Sequence, residues 1–314
     1  MFQRHAARPA PDLRRSGPIA GEAAAGFSAF TLLGVAVLLA LLLASAARFG
    51  FALTISPAEG VLVVGLAAAA SVPATRRVPR VRALLGLGAL LVVLFRAGLA
   101  ASHTIQAFGH PLRDDALRAI DRALGFDWLA FQRAVYAHPL AHDALGGAYA
   151  AFRPEIVLVP ALLCVLGDTR RMDTVVGAGV LAQVATLVAG ALAPAMGAVS
   201  LVGFEDAQIV HRGGATPLGV LLALRDGSLR TVVSDGSGGL VTCPSYHCVV
   251  AVIATYGLWR VPCLRAPALA LNLLMTVAAL THGAHYLADV LAGLALGSAA
   301  LLVARSAGAA IPGR

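Results

Sequence analysis

Apolar residues run along this chain in long blocks, and the charges collect in the short stretches between them. Eight blocks stand out, at roughly 28–47, 58–74, 83–101, 144–166, 174–195, 245–259, 266–282 and 286–304. Crossing about 30 Å of hydrocarbon takes about 20 helical residues, and most of the blocks come close to that length; the second and sixth are short. Inside lipid each backbone donor and acceptor must be satisfied within its own segment, so the predicted elements are α-helices in a bundle. Ala, Leu and Gly dominate, and no alternating pattern of about ten residues marks barrel strands. The expected fold is an all-α integral membrane protein with about eight transmembrane helices and no strands. No repeat of about 20–50 residues is visible.

The stretches between the blocks divide the rest of the chain. Residues 1–27, rich in Pro, Gly and Arg, read as a disordered tail. Ala44-Ser45-Ala46 resembles a signal-peptidase site, but the length of the leader and of the apolar run fits a retained anchor better. Residues 110–140 interleave charges with Leu117, Ile120, Leu124, Trp128 and Phe131 at spacings of three and four. That predicts a helix lying in the membrane interface, with Trp128 at headgroup depth. The loop at 196–243 is longer than a simple connector, and loops of that length are commonly functional.

Composition agrees with the pattern. The chain is 59% hydrophobic and 13% charged, whereas soluble domains carry about 25% charged residues. Its formal net charge is +8, and all 24 basic residues are Arg. Their positions speak for topology rather than for nucleic acid. Arg4, Arg8, Arg14, Arg15, Arg76, Arg77, Arg80, Arg82, Arg170, Arg171, Arg260, Arg265, Arg305 and Arg314 all fall on one side if the spans alternate. On the other side, four Arg in 102–143 are balanced by Asp114, Asp115, Asp121, Asp127 and Asp143. The positive-inside rule then puts both termini in the cytoplasm of a cell whose inner membrane the protein spans.

Two segments carry chemistry: Cys243-Pro244-Ser245-Tyr246-His247 and Thr281-His282-Gly283-Ala284-His285-Tyr286-Leu287-Ala288-Asp289. The topology read from Arg places His247, His285 and Asp289 at the same outer face. Two imidazoles and a carboxylate gathered there can attack phosphorus, with one His as nucleophile, the other as proton donor and the Asp as orienting group. Asp289 follows His285 by one helical turn, where it can accept from one ring nitrogen and leave the other free. Pro244 suits a helix start. Ser245 suits a helix cap, and free amides there suit a phosphate. Cys164, Cys243, Cys248 and Cys263 lack paired metal-ligand spacing. Cys164 and Cys263 read as packing residues. Cys243 and Cys248, five apart across a helix start, point about 140° apart, which disfavours a disulfide.

Pro244-Ser245-Tyr246-His247 resembles a Pro-Ser-x-His motif, and His285-Tyr286-Leu287-Ala288-Asp289 with Gly293 resembles a His-Tyr-x-x-Asp-x-x-x-Gly motif. Both belong to the type 2 phosphatidic acid phosphatase superfamily, and the resemblance covers roughly 83–304. It implies a six-helix core at 83–305, preceded by two added helices in 28–82 and followed by a cytoplasmic tail at 306–314. It implies that His285 forms a phosphohistidine and that His247 protonates the leaving oxygen. Asp289 would orient His285, and Ser245 would hold a phosphoryl oxygen. The substrate would be a phosphorylated lipid, with no metal and no other cofactor.

The chain also departs from that pattern. The family's first motif is Lys, six residues, then Arg-Pro. Arg153-Pro154 is present, but Gly146 stands at the Lys position. The third motif opens with Ser-Arg, and Ala278 and Ala279 stand there. Replacement cations for the phosphate are Arg153, Arg96 or Arg212; an Arg inside the membrane is a functional candidate by default, although Arg153 could also pair with Glu155. The thinner pattern, together with Asp121-Arg122-Ala123-Leu124-Gly125-Phe126-Asp127-Trp128, resembles the branch that includes inositol phosphorylceramide synthases, which transfer a headgroup between lipids. The expected function is a membrane lipid phosphatase or phosphotransferase acting at the outer face. The alternative is an inactive binding or transport protein on the same scaffold.

Overall fold

A computed structural model describes residues 27–201, 218–232 and 238–309. Twelve α-helices lie among the described residues. In chain order they are α1 (Ala29–Phe49), α2 (Pro57–Ser71), α3 (Pro79–Thr104), α4 (Asp114–Ala123), α5 (Trp128–Tyr136), α6 (Pro139–Ala150), α7 (Phe152–Leu166), α8 (Thr169–Leu192), α9 (Leu218–Asp226), α10 (Tyr246–Leu258), α11 (Pro262–Thr281) and α12 (Leu287–Ala309).

All eight apolar blocks are helical, but they are not eight equal spans. Helices α1, α3, α8, α11 and α12 are long and apolar enough to cross a membrane, and α6 with α7 forms a sixth candidate bent by 47°. The bend has a sequence cause. Pro154 has no amide hydrogen, and its ring collides with the carbonyl four residues back, at Ala150, where α6 stops. Helices α2 and α10, from the second and sixth blocks, have only 15 and 13 residues.

Helix α10 covers only about 20 Å at 1.5 Å per residue, and extended chain leads into it. Such backbone survives at depth only where protein satisfies it. Here Leu240 N donates to Ser102 Oγ (3.3 Å), and Gln106 Nε2 donates to Leu240 O (3.3 Å). Thr242 Oγ1 donates to Ala195 O (3.0 Å), and Ser245 N donates to Asp289 O (3.0 Å).

Helix α10 is the centre of the bundle, packed by α7, α8, α11 and α12. The main core joins Leu38, Leu87, Leu163, Ala178 and Val249 from five helices. The two N-terminal helices differ. Helix α1 packs on α3 and α8, and Ser28 N and Thr31 Oγ1 both donate to Asp173 Oδ1 (3.0 and 2.8 Å). Helix α2 buries no residue and leans on α3, where Glu59 pairs with Arg96. At the other end α12 runs to Ala309, so its last turn takes up the start of the predicted 306–314 tail.

The sequence predicts no strands, yet β1 (Ala52–Leu53) and β2 (Thr231–Val232) pair in parallel. They lie outside the helices, where two loops meet, and two residues are too few to leave a periodic signal. Of the long 196–243 loop, the described part holds α9, β2 and the extended lead into α10. The predicted N-terminal tail falls on 1–26, outside the described residues apart from Phe27.

Candidate active site

The site begins with an absence of side chains on α12. A Cβ at Gly293 would meet Ser245 O and come within 2.9 Å of Cys248 Cβ, and one at Gly297 would sit 3.0 Å from Val249 O. Glycine four residues apart lets two membrane helices approach backbone to backbone. This crossing sets the first turn of α10, with His247, beside the start of α12, with Asp289. The His247 and His285 ring centroids are 6.4 Å apart. That separation leaves room for a small tetrahedral group between the two rings.

His285 is not on α12, as the one-turn spacing predicts, but in the tight loop just before it. Ala284 there has φ 50°, the left-handed region that a non-glycine residue seldom takes. His285 Nδ1 lies 3.4 Å from Asp289 Oδ2, so the pairing survives the change of local structure. Asp289 is fully buried and accepts from Tyr286 N (3.0 Å). The Cys243 thiol lies against it, and burial, then the Asp289 charge, push that thiol well above its ordinary range, so it stays protonated. All four cysteines are free.

His247 is held by stacking. Tyr149 from α6 lies 4.0 Å from it at 14°, and Phe152 from α7 lies 4.0 Å away at 31°. The two rings flank the Pro154 bend, so that break in the span builds the slot for the imidazole. Next to the slot a cavity of about 640 Å³ enters the bundle. His247, His285, Tyr149 and Arg153 line it, and Val159 and Ile253 line it further along α7 and α10.

The candidate cations separate cleanly. Arg153 lines the cavity and makes no ion pair with Glu155 among the described residues; its guanidinium lies 5.9 Å from the Phe95 ring. Glu155 Oε1 instead accepts from Asn272 Nδ2 (3.1 Å). Arg96 is committed to Glu59 at the edge of the bundle. Arg212 lies outside the described residues. The departures from the motif also have steric reasons. A Cβ on Gly146 would sit 3.0 Å from His282 Nε2, so that ring fills the space a longer side chain would need. Ala278 and Ala279 have no exposed surface, and Ala279 packs with Cys248, Leu280 and Val290 in the core. Pro244 does not open α10: it forms a cis bond with Cys243, and Ser245 is the N-cap residue. Ser245 is fully buried and lines no part of the cavity, and its side chain caps no amide of α10.

The structure adds residues that periodicity missed. Residues 110–140 are not one interfacial helix; they hold α4 and α5, separated at Gly125 (φ 73°), followed by the start of α6. They clamp the His285 loop. Asp121 Oδ2 accepts from Leu287 N and Oδ1 from Ala288 N, both at 2.9 Å, so it caps α12 from another helix. Asp114 Oδ1 accepts from Gly197 N (3.0 Å) and from Tyr286 OH (3.2 Å). Trp128 is buried, and its Nε1 donates to Leu280 O (2.9 Å). Gln132 Nε2 donates to Leu280 O and Thr281 O (2.9 and 3.1 Å). The amphipathic spacing is only partly a buried face: Leu117 and Trp128 are covered by protein, whereas Ile120 and Leu124 stay exposed.

Residues 115–303 match a family model described as the PAP2 superfamily, the family that the two histidine motifs resemble. The match runs from α4 through α12 and takes in both histidine segments. Comparisons with curated proteins and with solved structures returned no match. With more than half of its length covered, the chain belongs to the PAP2 superfamily, as an all-α, multi-pass membrane protein.

Proposed function

We propose that this protein is a lipid phosphatase or phosphotransferase working through a phosphohistidine on His285. The observation that carries the reading is the pair of imidazoles 6.4 Å apart on one cavity, with Asp289 beside Nδ1 of the nucleophile. Asp289 holds the His285 tautomer with its proton on Nδ1, leaving Nε2 to attack phosphorus. As the N–P bond forms, the P–O bond to the lipid or its headgroup breaks, and His247 gives its proton to the leaving oxygen. Water or another hydroxyl then attacks phosphorus, returns a proton to His247 and frees His285. Arg153 and the α10 amide end meet the charge that builds on the phosphoryl oxygens. The apolar stretch of the cavity suits a hydrocarbon chain.

The site faces away from the cytoplasm in this reading. Supporting it, the Arg-rich turns gather at the opposite end of the bundle, where Arg80 packs beside Gly167 and Arg170 donates to Gly308 O. Headgroup transfer, as in the inositol phosphorylceramide synthase-like branch, is the finer form of the proposal. It is favoured by the Asp121–Trp128 segment, which resembles that branch and braces the His285 loop.

The test is purified protein in detergent with radiolabelled phosphatidic acid and, separately, a headgroup-bearing phospholipid plus an acceptor lipid. Turnover with an acid-labile, base-stable phosphoenzyme is expected, and His285→Ala should remove both while the protein still melts cooperatively. Wild-type turnover in His285→Ala would overturn the mechanism. Arg153→Met should lower turnover by roughly 10²-fold, about 2.7 kcal/mol of transition-state stabilisation. Because Arg153 is not paired with Glu155, the variant should stay folded, and adding Glu155→Gln should not rescue it. Rescue would mark Arg153 as a structural partner after all.

A further inference from the structure

The far end of α10 carries a second pocket, of about 410 Å³, lined by Arg171, Arg260 and Arg305 together with Tyr256, Trp259 and Leu301. Arg171 forms its floor and is only 7% exposed, whereas Arg260 and Arg305 stand at its exposed rim. The Arg171 guanidinium lies 4.0 Å from the Tyr256 ring centroid, and that of Arg305 lies 5.8 Å from the same centroid. Two cations therefore share one aromatic ring. Among the described residues none of the three arginines forms an ion pair with a carboxylate. Asp168, close by in sequence, is occupied in capping α8, where its Oδ1 accepts from Arg171 N (3.1 Å).

Arg171 has a structural task that accounts for part of its guanidinium. Nε donates to Gly257 O (3.0 Å) and Nη2 to Tyr256 O, so the side chain caps the last carbonyls of α10. A cation at a helix C-terminus is favourable there. Its Nη1 makes no hydrogen bond among the described residues. Helix capping explains one buried arginine. It does not explain why two more converge on the same pocket, where like charges repel.

We propose that this pocket binds the phosphate of an anionic phospholipid from the leaflet at that end of the bundle. Guanidinium groups match phosphate oxygens in geometry and charge. Basic pockets between transmembrane helices suit anionic headgroups. The lipid origin follows from the walls: Val252 and Leu301 carry the pocket toward the apolar part of α10 and α12, and Trp259, 45% exposed, sits where interfacial aromatics gather. This site lies at the opposite end of α10 from His247, and nothing in it depends on the catalytic reading.

The test uses the full chain in detergent micelles, with binding read from the shift in melting temperature on titrating short-chain phosphatidylglycerol. A saturable rise is expected with phosphatidylglycerol and not with phosphatidylcholine. The exposed pair Arg260→Gln/Arg305→Gln should weaken binding by roughly tenfold or more, while Arg76→Gln/Arg77→Gln, exposed in another basic turn, should leave it unchanged. Equal shifts with phosphatidylcholine, or equal losses in the two double variants, would overturn the proposal. So would inorganic phosphate at the same concentration giving the whole shift, which would mark a free-anion site. A shift abolished by Arg153→Met and kept in Arg260→Gln/Arg305→Gln would assign the lipid to the catalytic cavity instead. If the double variant does not fold, Arg305→Gln alone must still weaken phosphatidylglycerol binding for the proposal to stand.

Discussion

Two regions hold the His285 loop, and they do it by opposite means. The α10–α12 crossing works through missing atoms: Gly293 and Gly297 let backbone meet backbone, and at its top Ser245 N donates to Asp289 O. The α4–α5 segment works through polar atoms that reach out: carboxylates for the free amides of α12, and ring and amide donors for the last carbonyls of α11. Deep in the bundle, helix association rests on van der Waals packing and close approach. At the helix ends, four amides or four carbonyls lack partners, and supplying them fixes the chain. The histidine sits where the two regimes meet. Packing sets its distance from His247, and hydrogen bonding sets its orientation.

The sharpest way to break that division is to fill the crossing. Gly293→Val would drive two methyl groups into Ser245 O and Cys248, a contact that is already too close for a single Cβ. Overpacking of this kind costs about 3 kcal/mol or more where backbone must move, and here the movement separates His247 from His285. Turnover should fall to background and the melting temperature should drop. A Gly293→Val enzyme with wild-type turnover would show that the crossing does not set the catalytic distance.

The α4–α5 clamp should respond more mildly and in a different parameter. Asp121→Ala removes the acceptor for two α12 amides, and a lost helix cap costs about 1 kcal/mol, up to about 2. Spent on the orientation of His285, that predicts a roughly 5–30-fold loss of kcat with KM for the lipid little changed, because Asp121 does not line the cavity. Asp121→Asn, which can still accept, should recover part of it. A change in KM alone would mean that the segment contacts substrate rather than positioning His285.

The two regions were not equally legible in the sequence. Helix-forming blocks, the short second and sixth among them, are read from runs of apolar residues, because lipid leaves the backbone no alternative. The proximity of His247 and His285 follows from motif plus topology, and Gly293 belongs to the same motif. The clamp is illegible because its bonds run from side chains to distant backbone, such as Asp121 to Leu287 and Ala288, which leaves no periodic trace. Asp114 and Asp121 read as charges balancing nearby Arg, yet both are buried acceptors. The spacing of Leu117, Ile120, Leu124, Trp128 and Phe131 marks an apolar face, but it cannot say that protein covers Leu117 and Trp128 while Ile120 and Leu124 stay exposed. Ser245 is legible as a motif residue, but the bond that its backbone amide makes to Asp289 O is not.

The smallest effect tests that last ambiguity directly. Trp128 donates one hydrogen bond to Leu280 O, and Gln132 donates a second to the same oxygen. Trp128→Phe therefore leaves that carbonyl satisfied, and the loss should be near the ordinary net worth of one hydrogen bond, about 1 kcal/mol, with turnover changed less than about fivefold. Position is the better discriminator. The chain has two tryptophans, and Trp259 is exposed at the opposite end of the bundle. In a Trp259→Phe background all indole fluorescence comes from Trp128, which is 4% exposed beneath α11. Lipids brominated near the headgroup should quench it weakly, and Asp121→Ala, by loosening the clamp, should make the quenching stronger. Strong quenching in the otherwise wild-type clamp would return α5 to the membrane surface and leave the His285 loop braced by the α10–α12 crossing alone.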